Sequence, residues 1–225
     1  MPVRRALLAE PVLEVAPRLL GMVLRSSTDE GTVAVRLTEV EAYDGPTDPG
    51  SHAYRGQTAR NAVMFGPSGH LYVYFTYGMH FCMNISAGPD GQPSAVLLRA
   101  GEVIEGAELA RARRGNMVGR SQAASLNGRG SGSSERTIAD RDLARGPARL
   151  CVALGVDRES NGADLLDRGS PIQLLSGPGF DGIPSTGPRV GLREAADRPW
   201  RFWIPGDPTV SPYRPHIPKR RPTTP

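Results

Sequence analysis

The stretch Leu71-Tyr-Val-Tyr-Phe-Thr-Tyr-Gly-Met-His-Phe-Cys-Met-Asn-Ile85 decides how the chain folds, because it reads as two strands that return on each other with chemically different faces. Successive strand residues point to opposite sides. Val73 and Phe75 therefore share one side, while Tyr72, Tyr74 and Thr76 share the other. On the return, Phe81, Met83 and Ile85 form the apolar side, and His80, Cys82 and Asn84 the hydrogen-bonding side. Matching apolar to apolar pairs Phe75 with Phe81, Tyr74 with Cys82 and Tyr72 with Asn84. Tyr77-Gly78-Met79 is then the turn of a protruding aromatic hairpin. Folding alone gives no reason for a tyrosine and a methionine at an exposed tip, although a tip packed under a neighbouring loop is the plain alternative.

Outward from that hairpin, Met22 to Ser26 and Thr32 to Ala42 flank the turn signal Thr28-Asp-Glu-Gly31 and read as a second hairpin. Pro11 to Leu20 is weakly helical. Asp44 to Gly69, rich in Gly, Pro and polar residues, is expected to be a long structured excursion. Ser94 to Ala100 holds the apolar run Ala95-Val-Leu-Leu98, a buried strand delivering Arg99 at its end. Glu105 to Arg114 reads as a helix stopped by Gly115, with Arg111, Arg113 and Arg114 in its last turn, and Gly119 to Arg136 as a mobile Gly/Ser-rich loop. Pro147 to Leu154, followed by Gly155, has the asymmetry of a short helix. Pro171 to Leu175, Arg189 to Leu192 and Trp200 to Ile204 suggest later strands. The order predicts one α+β domain over residues 1–211, a curved antiparallel sheet with surrounding helices, and a Pro-rich basic tail over 212–225.

At 225 residues the chain can bury one sizeable core. The formal net charge of +4 permits nucleic-acid binding without demanding it. The positive charge is almost wholly arginine, with Lys219 the sole lysine. Arginine suits bidentate phosphate contacts, but a biased genomic base composition enriches it equally well. Cys82 and Cys151 are too few for a disulfide framework and lack metal-ligand spacing with His52, His70, His80 or His216, so a reducing compartment and no metal or other cofactor are expected. No run is apolar enough to span a bilayer, and the N-terminus lacks a signal-peptide pattern, so the expectation is a cytoplasmic, monomeric protein without membrane contact.

The strand Val33-Ala-Val-Arg-Leu-Thr-Glu-Val-Glu-Ala-Tyr43 puts Val33, Val35 and Leu37 on one face, and strict alternation continues that face with Glu39, Glu41 and Tyr43. A carboxylate at the edge of an apolar surface loses hydration, a setting suited to a general base. A solvated strand end, or pairing with arginine, explains a single such glutamate just as well. Two acids spaced by two also fit glycoside hydrolysis, but no tryptophan-rich sugar cleft accompanies them.

Thr38-Glu-Val-Glu-Ala-Tyr43, His52, Gln57-Thr-Ala-Arg-Asn61, Met64-Phe65, Gly69, Leu71-Tyr-Val-Tyr74, Tyr77-Gly-Met79, Phe81-Cys-Met-Asn-Ile85 and Val96-Leu-Leu-Arg-Ala100 together resemble the alkyladenine (3-methyladenine) DNA glycosylase family, in the same order and at similar spacings. Weaker matches at Gly146-Pro147, Leu150-Cys151, Arg189-Val-Gly191 and Arg201-Phe202 extend the resemblance from about Val12 to Ser211. It implies that Tyr77, with Met79 beside it, enters the minor groove of duplex DNA and that a damaged purine nucleotide is flipped into a pocket. By the same resemblance Tyr43, His52 and Tyr74 stack the flipped base, Asn84 crowds the position of guanine's exocyclic amine, and Arg60 and Met64 contact DNA. Glu41 would deprotonate the attacking water, with Arg99 and the backbone of Val190 holding that water and the adjacent phosphate. The isolation of Lys219 implies an enzyme without strand-cleaving amine chemistry, although removal of Met1 would expose the imino group of Pro2. His80 stands where an aromatic tyrosine is common in the family, and the 119–136 loop has no clear counterpart.

Two other classes fit parts of the sequence. A nucleic-acid-binding module would use the aromatic hairpin without chemistry, and a nucleosidase acting on free small molecules would need no exposed Tyr77.

Overall fold

A computed structural model describes residues 3–76, 78–125 and 138–216, with the side chains of 117–125 outside the description. Two short helices, α1 (Arg5–Leu8) and α2 (Val12–Arg18), lead into strands β1 (Val23–Thr28) and β2 (Gly31–Tyr43), which pair antiparallel around the expected turn. The excursion from 44 to 70 contains only two 3₁₀ turns, Gly45–Thr47 and Ala62–Phe65. Next come β3 (Leu71–Thr76), β4 (His80–Ala87), β5 (Ser94–Glu105), α3 (Ala107–Ser125), α4 (Pro147–Leu154), β6 (Ile172–Leu175), β7 (Ser185–Gly187) and β8 (Arg201–Trp203). The strands form a curled antiparallel sheet in the order β3-β4-β5-β2-β1-β6, and β8 pairs with the C-terminal part of β2 and with β7. This is the α+β architecture expected from the element order.

β3 and β4 take the register read from their alternation, with Tyr72 opposite Asn84, Tyr74 opposite Cys82 and Phe75 opposite Phe81. Tyr77 lies outside the described residues. One face of the sheet, including Leu71, Val73, Met83, Ile85, Val96 and Leu98, joins the main core with Leu8 of α1, Val12 and Val15 of α2, and Leu150, Cys151 and Leu154 of α4. Burying these side chains is the main favourable contribution to folding, at about 25 cal/mol per Å² of apolar surface removed from water. α4 begins at Pro147 and ends at Leu154, capped by Gly155, whose φ of +67° turns the chain so that the Val156 N–H donates back to the Cys151 carbonyl at 2.9 Å.

Three expectations need correction. First, α3 does not stop at Gly115 but runs to Ser125, so residues 119–125 are helical; 126–136 lie outside the described residues. Met117, Arg120, Gln122, Ala123 and Ala124 are good helix formers without an intervening proline, and two glycines do not outweigh them. Second, Arg189 to Leu192 forms no strand; β7 lies just before it and Gly191 takes a φ of +74°. Third, the alternation of β2 breaks. Val33, Val35 and Leu37 lie in the main core, but so do Val40 and Ala42, which puts Glu39, Glu41 and Tyr43 on the opposite face. The pairing of β2 with β5 shifts register on both sides of Glu39, skipping Thr38 on one strand and Arg99 on the other. Such a bulge changes the phase of a strand and re-aims its side chains. Arg99 accordingly sits at an irregularity inside β5, not at a strand end.

Candidate active site

The face opposite the core carries a smaller cluster, Ala53, Met64, Tyr72 and Ala95, with Tyr74 packed on it. Beside this cluster opens a cavity of about 410 Å³ walled by Tyr43, His52, Tyr72, Tyr74, Asn84 and Arg99, among others. The pleat explains how distant residues meet here. Tyr72 and Tyr74 on β3, Cys82 and Asn84 on β4, Ala95 and Leu97 on β5 and Tyr43 on β2 are the alternate residues of strands whose other series fills the core.

Glu41 is fully buried, yet it contributes no surface to the cavity; Tyr43, Arg99 and Val190, which do, each bind it. The backbone N–H of Val190 donates to Oε1 at 2.7 Å, Arg99 Nη1 lies 3.2 Å from the same oxygen, and the Tyr43 hydroxyl donates to Oε2 at 2.9 Å. The Tyr43 phenol is pushed well above its ordinary pKa by burial and by the neighbouring Glu41 and Tyr74, so it stays a proton donor at neutral pH.

Glu39, also fully buried, is committed elsewhere. Its Oε1 accepts from Arg99 Nε at 2.7 Å, Arg201 Nε at 2.7 Å and Ser211 Oγ at 2.9 Å, and its Oε2 accepts from Ser211 N at 2.7 Å. Burial alone would raise the Glu39 pKa, but the charges of Arg99 and Arg201 outweigh it and hold the carboxyl below its usual range. Arg99 thus bridges the two glutamates, and their charges keep its guanidinium protonated despite its own burial.

On the other side of the cavity, His52 Nδ1 is 2.8 Å from the Tyr72 hydroxyl, and its ring meets Tyr74 edge-on at 4.6 Å. Part of the imidazole is open to solvent, but crowding on the side facing the tyrosines, with Arg60 nearby, lowers its pKa to about 4. The ring is therefore neutral at pH 7. Arg60 stands over the Tyr74 ring at 5.3 Å. Asn84 is held by an Nδ2–H bond to the Tyr72 carbonyl at 3.2 Å. Met79 is exposed. Met64, expected against DNA, is only 3% exposed and packs beside Ala53, Tyr72 and Ala95, so it is part of the cavity wall and not an outward contact. Among the described residues no three His, Cys, Asp or Glu side chains converge to hold a metal ion.

This arrangement places a buried, multiply bonded carboxylate behind an aromatic-walled cavity. The methylpurine-DNA glycosylase family matches residues 6–208. The chain belongs to that family. Relatives named "Putative 3-methyladenine DNA glycosylase" include one from Streptomyces avermitilis, 56% identical over 99% of this chain and 96% of its own length. Another from Leifsonia xyli subsp. xyli is 52% identical over 96% and 93%, and one from Nocardia farcinica 50% identical over 88% and 85%. The glycosylase is thus an enzyme that hydrolyses N-glycosyl bonds and acts on DNA in base excision repair. No helix among its described residues is long and apolar enough to cross a membrane.

Residue-type reasoning overlooked Asp48, Arg189 and Ser211 as parts of the glycosylase site. Arg189 makes bonds to Asp48, 141 positions away, and Ser211 to Glu39, 172 positions away. Partners that far apart leave no spacing signal: Asp48 and Ser211 read as ordinary loop positions, and Arg189 as the start of an expected strand.

Proposed function

We propose that the enzyme flips alkylated purine nucleotides out of duplex DNA and hydrolyses their N-glycosidic bond with a water deprotonated by Glu41. Its proposed substrates are 3-methyladenine and, as further ones, 7-methylguanine, hypoxanthine and ethenoadenine. The observation that carries this reading is the Glu41 carboxylate, fixed by Val190, Arg99 and Tyr43 directly behind the aromatic cavity. An N–H donor and a guanidinium keep Glu41 oriented, while the Tyr43 hydroxyl occupies one lone pair of Oε2 and leaves another for water. Glu41 takes the water's proton, the oxygen bonds to the anomeric carbon, and the glycosidic electron pair leaves with the base. A purine cationic from alkylation departs neutral, which makes it the better leaving group.

Tyr43, His52 and Tyr74 would stack the flipped base. An aromatic face favours an electron-poor purine, and an imidazole neutral at pH 7 adds no repulsion toward a cationic one. Asn84 would exclude purines bearing a 2-amino group, Arg60 would meet the strand, and Tyr77 with Met79 would fill the gap left in the duplex. The sole lysine belongs to the Pro-rich tail sequence and no amine lines the cavity among the described residues, so the expected product is an intact strand with an abasic sugar.

The test is release of free base from a duplex carrying one modified purine, followed by borohydride trapping during turnover. Free base without a trapped protein–DNA adduct is the expected result. A stable adduct that also requires Glu41 would remove the water mechanism.

A further inference from the structure

We infer that Asp48 and Arg189 form a buried clamp that positions Glu41 and Tyr43 for the reaction, an inference that rests on the role proposed for Glu41. Arg189 is the largest fully buried side chain among the described residues. Its Nη1 donates to Asp48 Oδ2 at 2.5 Å and to the Ala42 carbonyl at 2.9 Å, and its Nη2 donates to Asp48 Oδ1 at 2.7 Å. The guanidinium also lies over the rings of Tyr43, at 4.6 Å, and Trp200, at 5.1 Å. Ala42 is the residue between Glu41 and Tyr43, and Val190, next to Arg189, supplies the N–H on Glu41 Oε1. One cation therefore grips the backbone between base and stacking ring, the face of that ring, and the loop that orients the carboxylate.

Stability does not call for such a pair. Taking two charges out of water costs several kcal/mol per ion, and apolar side chains of similar volume often hold a fold equally well. The pair is nonetheless bidentate and dry, which fixes its geometry more narrowly than apolar packing can. Asp48 extends the restraint, since its Oδ1 also accepts from Gly50 N at 3.0 Å. Gly50 leaves room for the clamp: a Cβ there would lie 2.9 Å from Arg189 Nη2 and 2.9 Å from Leu192 Cδ1. Arg189 and Asp48 do not line the cavity, so their part is positioning and not direct contact with the base.

The experiment compares Asp48→Asn, Gly50→Ala and Glu41→Gln in single-turnover base release from a duplex with one hypoxanthine, alongside binding to a duplex with a tetrahydrofuran abasic analogue. Asp48→Asn removes the charge that Arg189 faces. Gly50→Ala crowds the guanidinium while keeping both charges and serves as the second arm if Asp48→Asn does not fold. Because Gly50 and Leu192 also line the cavity, this arm is read together with inhibition by free hypoxanthine, which a narrowed pocket would weaken and a loosened clamp would not. Both should slow base release about tenfold to a hundredfold, the cost of misplacing a catalytic group by about an ångström. Affinity for the abasic duplex should stay within about threefold of the parent. Adding either change to Glu41→Gln should remove no more than about twofold of the residual rate, because groups that act as a unit are not additive. Losses that multiply in that background would mark a merely structural role, and parental rates in both single variants would overturn the clamp while leaving an inactive Glu41→Gln untouched. A parental rate in Glu41→Gln itself would overturn the reading beneath it.

Discussion

The two faces of the sheet are built from the same strands by opposite rules. On the core face, Val33, Val35, Leu37, Val40, Ala42, Val96 and Leu98 pack without direction. On the cavity face one residue away, a small apolar cluster sits beside polar groups that are all directional: Glu39 takes two arginines and Ser211, Glu41 takes a backbone N–H, an arginine and a tyrosine, and Asn84 donates to a carbonyl. The core face tolerates any apolar side chain of fitting volume, because burial is roughly proportional to area. The cavity face tolerates almost none, because a buried polar atom without its partner costs more than the bond itself contributes.

The sharpest test of this contrast is Glu41→Gln. The amide keeps the shape but cannot take the proton from water, so single-turnover base release should fall by about a hundredfold to ten-thousandfold while DNA binding persists. A rate within a few-fold of the parent would turn attention to Glu39.

Next in size is the pair Glu39→Gln and Leu98→Ala, one from each face. Removing the charge that Arg99 and Arg201 share should destabilise by about 3–5 kcal/mol and also slow base release, since Arg99 then loses its anchor beside Glu41. Leu98→Ala leaves a void in the core and should destabilise by about 2–5 kcal/mol with base release little changed in the folded fraction. Denaturant melts and single-turnover rates on both variants check this. Equal catalytic losses would mean the faces are not separable.

Asn84→Ser should produce a smaller effect, slow release of unmodified guanine, as the shorter side chain opens the edge that a 2-amino group would strike. Unchanged guanine release with retained activity on alkylated adenine would remove Asn84 as the filter.

The smallest effect concerns His52. Its folded pKa of about 4 is below the ordinary value of 6.5, so the unfolded chain binds the proton more readily. Its contribution to stability is fully present above pH 6.5 and is lost as the pH falls through about 4. His52→Gln should therefore show a shallower stability loss than the parent between pH 6.5 and 4, by a modest margin because part of the ring is solvated. Equal slopes would indicate that the ring is not held neutral by its surroundings.

What could be read from residues alone was whatever local period controls. The β3–β4 register followed from alternation between Leu71 and Ile85, helix α4 from Pro147 and Gly155, and the β1–β2 turn from Thr28-Asp-Glu-Gly31. The resemblance carried by the ordered motifs then led to the family and gathered Glu41, Tyr43, His52, Tyr74, Asn84 and Arg99 before any of them could be seen together. Tertiary structure alone decided which face Glu39 and Glu41 occupy, since strict alternation assigned them to the core side and the bulge at Thr38 and Arg99 reversed it. It also decided that the two acids differ, one saturated by Arg99, Arg201 and Ser211 and the other set behind the cavity, and that Asp48 meets Arg189. A strand's period is local and survives in sequence. The partner of a buried charge is chosen by where the folded chain brings distant loops together, and no spacing along the chain records it.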